Sequence, residues 1–166
     1  MIQQHRQTQI QPDLLGRIPE QRRLLRWRAV SLQIVKRFSP ASGRVADVIF
    51  ETTAIRPLDI AGKLVTEVQP ESLWEIRREL EKFFTPALGF GRIDRLNYTD
   101  GVRIYFSNGD VAHVRPSGNA DELRIYAVAD TQARADAITA SGVAEPDGIL
   151  RKLENLVDAH AGFAAK

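Results

Sequence analysis

The chain reads as an α+β fold: a four-stranded antiparallel sheet with helices packed on one face, behind a mainly helical N-terminal extension. Four short apolar runs late in the sequence alternate with polar residues, and tight turns join the first three. These turns are Thr99-Asp100-Gly101 and Ser107-Asn108-Gly109-Asp110. Asp-Gly and Asn-Gly between alternating runs are strong hairpin signals. Three other stretches repeat apolar residues at helical spacing and can cover one side of that sheet.

In chain order, Met1 to Gln11 is polar and glutamine-rich and reads as a loose terminus. From Pro19 to Phe38 the spacing predicts a helix with Leu24, Trp27, Ser31, Ile34 and Phe38 on one face. Glu20 stands at its start and Lys36 and Arg37 at its end, where the macrodipole favours them. Val45 to Phe50 and Lys63 to Val68 read as short strands around a turn at Arg56 and Pro57. These elements make residues 1–70 the extension, and residues 71–166 the main domain.

After Pro70, Leu73, Ile76, Leu80, Phe83 and Phe84 mark an amphipathic helix, punctuated by Pro86, Gly89 and Gly91. The strands RIDRLNY, GVRIYF, DVAHVR and LRIYAVAD follow. Val102, Ile104 and Phe106 share one face, as do Leu123, Ile125, Ala127 and Ala129. Arg103, Tyr105, His113, Arg115, Arg124 and Tyr126 fall on the other faces of their strands. Asp130 or Thr131 can cap a helix that runs to Ser141 and stops at Gly142. A last helix carries Ile149, Leu150, Leu153, Leu156 and Val157 on one stripe, with Pro146 near its first turn.

Composition narrows the function. A chain of 166 residues, 43% hydrophobic, can bury roughly 70% of its unfolded surface without staples. It has no cysteine, which removes disulfides, thiolate catalysis and cysteine metal sites. No apolar run approaches the roughly 18 residues that span a bilayer, and residues 1–30 are too polar for a signal peptide. The expectation is a soluble, cytoplasmic protein with no membrane partner. The net charge of +2 is unevenly placed: nine Lys or Arg stand against two Asp or Glu from Met1 to Ala46, a local +7. RRLLRWR, Arg22 to Arg28, is therefore a candidate nucleic-acid or lipid-headgroup contact. A docking helix that packs Leu24 and Trp27 on the body is the favoured alternative, so a nucleic-acid partner is disfavoured.

The pointed chemistry lies in HVRPSGNADELRIY, His113 to Tyr126. Arg115 and Arg124 bracket a loop containing Ser117, Gly118 and Asn119, a set of donors without a general base. Arginine offers a planar fork suited to phosphate or carboxylate, and a glycine turn can gather backbone N–H groups into an anion nest. His113 lies near Ser117 in sequence, but no carboxylate is placed to orient it, so serine-hydrolase chemistry is disfavoured. A purely structural loop, its arginines paired with Asp121 and Glu122, is the bland alternative.

Asp100, Gly101 and Arg103, then Arg115-Pro116-Ser117-Gly118-Asn119, then Arg124, follow a pattern that resembles the C-terminal, fourth domain of the α-D-phosphohexomutases. These are the phosphomannomutases and phosphoglucomutases, and the resemblance covers about residues 71–166. It implies a TBP-like sheet-and-helix domain within an intramolecular phosphotransferase, an isomerase of carbohydrate metabolism. It also implies that Arg115, Ser117, Gly118 and Asn119 hold the phosphate of a phosphohexose, with Arg124 and His113 supporting them. Where the family often has Glu-Pro, this chain has Ala120-Asp121.

The family's phosphoserine loop, its aspartate-rich Mg²⁺ loop and its sugar-reading Gly-Glu-x-Ser-Gly loop do not occur here. Phosphoryl transfer is mostly positioning and charge neutralisation, so without nucleophile and metal no turnover is expected from this chain alone. No catalytic residue, metal site or cofactor is assigned to it. The expected partners are a phosphohexose or phosphate ion and the remaining mutase domains. Two other readings stand beside this one: a nucleic-acid-binding or scaffold protein that uses the basic N-terminal helix, and a structural remnant that assembles with a catalytic partner chain.

Overall fold

The computed structural model describes residues 30–118 and 122–161. The elements run α1 (30–37), β1 (Asp47–Phe50), β2 (Ile55–Leu58), α2 (Pro70–Glu81), a 3-10 turn at Pro86–Leu88, β3 (Ile93–Asn97), β4 (Val102–Phe106), β5 (Val111–Pro116), β6 (Leu123–Val128), α3 (Gln132–Val143) and α4 (Ile149–Ala161). The fold is α+β. Its sheet has six strands in the order β2-β1-β3-β4-β5-β6, every neighbour antiparallel, where four strands were expected.

The two additional strands come from the region read as strand, turn, strand. β1 falls within Val45 to Phe50, but Arg56 and Pro57 lie inside β2 rather than in a turn. Proline suggests a turn because it cannot donate to a ladder. An edge strand tolerates it, and β2 is the edge of this sheet. Lys63 to Val68 is not a strand; Leu64 makes one isolated bridge to Leu58.

Alternation places one face of each strand in the core. Val48, Phe50, Ile93, Leu96, Val102, Ile104, Phe106, Ala112, Val114, Leu123, Ile125 and Ala127 are buried in a single cluster with apolar residues of all four helices. From α1 come Val30 and Ile34, with Phe38 just after it, from α2 Leu73 and Leu80, and from α3 and α4 Ile138, Leu150 and Leu153. Ser31 is buried beside them. Leu24 and Trp27, expected on the same face as Ile34, lie outside the described residues, as does the RRLLRWR segment.

The helices differ from expectation at their ends. α2 stops at Glu81, so Phe83 and Phe84 follow it in a turn, where Phe84 is still buried. Thr131 caps α3, its hydroxyl accepting from the Arg134 N–H at 3.1 Å. Gly142 does not stop α3; it is buried within the last turn, close against Ile125. Pro146 lies near the first turn of α4, as expected, in the turn that joins the two helices.

Candidate phosphate-binding loop on the open sheet face

The face of the sheet opposite the helices carries polar side chains. On β5 and β6 the register pairs Arg115 with Arg124 and His113 with Tyr126, directly opposite one another. Like charges in opposing positions repel, and each arginine has acquired acceptors. Arg115 Nη1 donates to Asp100 Oδ2 at 2.8 Å and Nη2 to the Tyr126 hydroxyl at 3.2 Å, with the guanidinium 5.2 Å over the Tyr126 ring. Arg124 donates from Nε and Nη2 to Glu122 Oε2, each at 3.3 Å.

Tyr126 sits between the two cations. Burial acts to raise its phenol pKa, but hydrogen bonds from Arg115 and Arg124 outweigh it and hold the phenol below its ordinary value. The same Tyr126 contact heads the causes that raise the pKa of both arginines. Each guanidinium is thus matched by a carboxylate, Asp100 or Glu122, and an anion at the loop mouth would share these forked donors with them.

The loop itself is closed by the Ser117 N–H, which donates to the Glu122 carbonyl at 2.7 Å. That N–H is committed to the loop's own frame, so any nest of donors must use other groups. Ser117 is half-buried and Gly118 exposed. Asn119, the third polar member of the expected set, and Asp121 lie outside the described residues.

His113 lies under this arrangement. Its Nε2 meets the Asp100 carbonyl and its Nδ1 lies 3.4 Å from Arg103 Nη2. A carbonyl only accepts, so Nε2 carries the proton and Nδ1 presents its lone pair to Arg103. Burial, aided by the nearby Arg103 and Arg115 charges and opposed by the Asp100 carbonyl, lowers the imidazole pKa below 6.5. With both nitrogens engaged, His113 is poorly placed to activate Ser117.

Sequence reasoning named both arginines but not the groups that hold them. Asp100 reaches Arg115 from the β3–β4 turn because Gly101 brings that turn against β5, and Tyr126 follows Arg124 by the two-residue period of a strand. Among the described residues no group of three or more His, Cys, Asp or Glu could hold a metal ion. No helix among the described residues is long and apolar enough to cross a membrane.

Residues 65–144, from the approach to α2 through α3, match the family described as phosphoglucomutase/phosphomannomutase, C-terminal domain. This part of the chain is thus similar in sequence to a phosphohexomutase C-terminal domain. A phosphomannomutase of Sinorhizobium fredii is 44% identical over 54 residues, which is 32% of this chain and 11% of that protein. One of Salmonella muenchen is 49% identical over 51 residues, 30% of this chain and 11% of that protein. The matched segment of this chain thus spans about a tenth of the length of these relatives, at 11% in both cases. No solved structure matches the chain.

Proposed function

We propose that the β5–β6 loop holds the phosphate group of a phosphohexose, so that the domain orients a sugar for phosphoryl transfer carried out by residues elsewhere. The observation that carries this reading is the cross-strand pairing of Arg115 with Arg124 at the loop mouth, with Tyr126 between them. A phosphate would accept from the Arg115 fork, from the Ser117 hydroxyl and from backbone N–H groups at Gly118 and Asn119. Arg124 and His113 would keep the frame in place.

The partners in this reading are the phosphohexose and the remaining domains of a mutase, in the cytoplasm. The chemistry is that of an intramolecular phosphotransferase, and its nucleophile and Mg²⁺ would come from those domains. One loop gives modest affinity. A few charge-assisted hydrogen bonds, each about 1.5–3 kcal/mol, work against an association cost of about 4 kcal/mol or more. Dissociation constants on the order of 1 mM are expected.

Calorimetric titration of the chain with mannose 1-phosphate, glucose 6-phosphate and inorganic phosphate tests the proposal. Saturable heat in the millimolar range, lost in Arg115→Ala, supports it. No heat at tens of millimolar, or heat that Arg115→Ala leaves unchanged, would sink it.

A further inference from the structure

Arg103 differs from the other arginines of the open face. Arg56 has Glu51 at 3.5 Å, Arg95 has Asp47 at 2.7 Å, Arg115 has Asp100 at 2.8 Å and Arg124 has Glu122 at 3.3 Å. Among the described residues no carboxylate comes within ion-pair distance of the exposed Arg103 guanidinium, whose side-chain contact is the one to His113 Nδ1. That contact fixes one edge of the fork and leaves the rest facing outward.

Beside it lies a hollow of about 340 Å³ lined by Arg95, Asn97, Thr99, Asp100, Arg103 and Tyr105. Its size falls at the lower end of small-ligand sites, about 300–1,000 Å³. Both carboxylates at or near the hollow, Asp100 in its lining and Asp47 beside it, accept from neighbouring side chains. Asp47 accepts from Arg95 and Asn97, and Asp100 accepts from Arg115. The Asn97 side-chain oxygen accepts from the Thr99 N–H at 3.1 Å, which holds the β3–β4 turn in shape. The Thr99 hydroxyl and the Tyr105 phenol hydrogen-bond to no described residue. Arg95 packs 4.8 Å over the Tyr105 ring and steadies it.

The lining residues whose donors are not given to a described carboxylate are therefore Arg103, Thr99 and Tyr105, beside the Asp100 side chain held by Arg115. A guanidinium fork and two hydroxyls are a set that an oxyanion accepts from. We infer that this hollow is a second oxyanion site, separate from the β5–β6 loop. It takes a phosphate-sized group on Arg103, with Thr99 and Tyr105 as further donors. The site does not depend on the loop reading, although the two are neighbours. His113 joins Arg103 to the Asp100 backbone, and the Asp100 side chain joins that backbone to Arg115. Releasing Asp100 would turn a carboxylate toward the hollow, so Arg115 is left intact in the test.

Amide chemical shifts of the full chain, followed by NMR during titration with inorganic phosphate, read the two sites separately. Saturable shifts at Thr99, Arg103 and Tyr105 are expected. Arg103→Gln should weaken that curve about tenfold or more while leaving the curve at Ser117 and Gly118 unchanged. Thr99→Ala should weaken it about threefold, and serves as the test if Arg103→Gln does not fold. No movement at residues 99–105, or a curve that neither substitution alters, overturns the inference. So does an equal response at Arg44, Arg56 and Arg78, whose guanidiniums already have carboxylates. Shifts at 99–105 without shifts at 117–118 support this site and count against the loop; the reverse pattern overturns this site and leaves the loop standing. A second titration with mannose 1-phosphate separates the sources: tighter binding than inorganic phosphate assigns the hollow to a phosphomonoester, and equal binding assigns it to the free ion.

Discussion

A Cβ added at Gly101 would stand 2.5 Å from the Val114 carbonyl oxygen and 2.6 Å from the Arg115 Cβ, on a backbone already at φ 70°. Gly109, in the next hairpin, has φ 88° but nothing within 4 Å of the same added atom. The pair separates two effects. Left-handed strain costs a non-glycine residue about 1–3 kcal/mol at either position, and only Gly101 adds a collision with the neighbouring strand. Gly101→Ala should therefore lower unfolding stability by about 1–3 kcal/mol more than Gly109→Ala does, measured by urea denaturation. Because Gly101 holds Asp100 against Arg115, the same substitution should also weaken phosphate binding at the loop. His113 allows a second prediction. Its native pKa lies below the ordinary 6.5 through burial, against the pull of the Asp100 carbonyl, with Arg103 and Arg115 beside it and the Tyr126 ring 5.8 Å away. Between the depressed native value and 6.5 the unfolded chain holds a proton that the native chain lacks, so stability falls as pH drops through that window. Urea midpoints compared at about pH 7.5 and about pH 5.5 should show the loss, and His113→Gln should reduce it.

The elements that sequence made legible are those whose signals are local. β3 to β6 follow from period-two alternation and from the Asp-Gly and Asn-Gly turns, and α3 from the Thr131 cap, worth about 1 kcal/mol. β2 was hidden because Pro57 is forbidden in a central strand and allowed at an edge, and position in a sheet is not a local property. Gly142 misled for a related reason: a glycine late in a helix looks like its stop, but here it is the residue over which Ile125 of β6 packs. A Cβ there would lie 2.8 Å from Ile125 Cγ2 and 2.9 Å from Cδ1. Alanine at a helix interior normally gains about 1 kcal/mol over glycine, whereas overpacking costs about 1–3 kcal/mol. Gly142→Ala should thus destabilise by about 1 kcal/mol in urea unfolding, and a stabilised variant would show that α3 slides freely over β6. The loop was legible in the same uneven way. Arg115 and Arg124 could be placed because the strands around them could, but Asp100 and Arg103 act through cross-strand register, which alternation alone does not fix.

The phosphohexomutase match begins at residue 65, yet the sheet and core do not. β1 lies between β2 and β3, and the Asp47 carboxylate accepts from both Arg95 and Asn97 of β3. Val30, Ile34, Phe38, Val45, Val48 and Phe50 are six of the buried core residues, and Phe38 meets Phe83 edge-on with ring centroids 6.1 Å apart. The Arg77 guanidinium lies 5.2 Å from both the Phe50 and the Trp74 ring, which themselves meet with centroids 5.4 Å apart. At about 1.5–3 kcal/mol for each fully buried side chain, these upstream residues contribute on the order of 10 kcal/mol. That equals the whole stability of an ordinary domain, about 5–15 kcal/mol. It would also leave β3 as a bare edge, with unpaired N–H and C=O groups available to another chain. A chain starting at residue 65 should therefore fail to unfold as one cooperative transition and should self-associate, seen by urea denaturation and sedimentation. A monomeric 65–166 fragment with an unchanged midpoint would make α1, β1 and β2 an accessory layer rather than part of the folding unit.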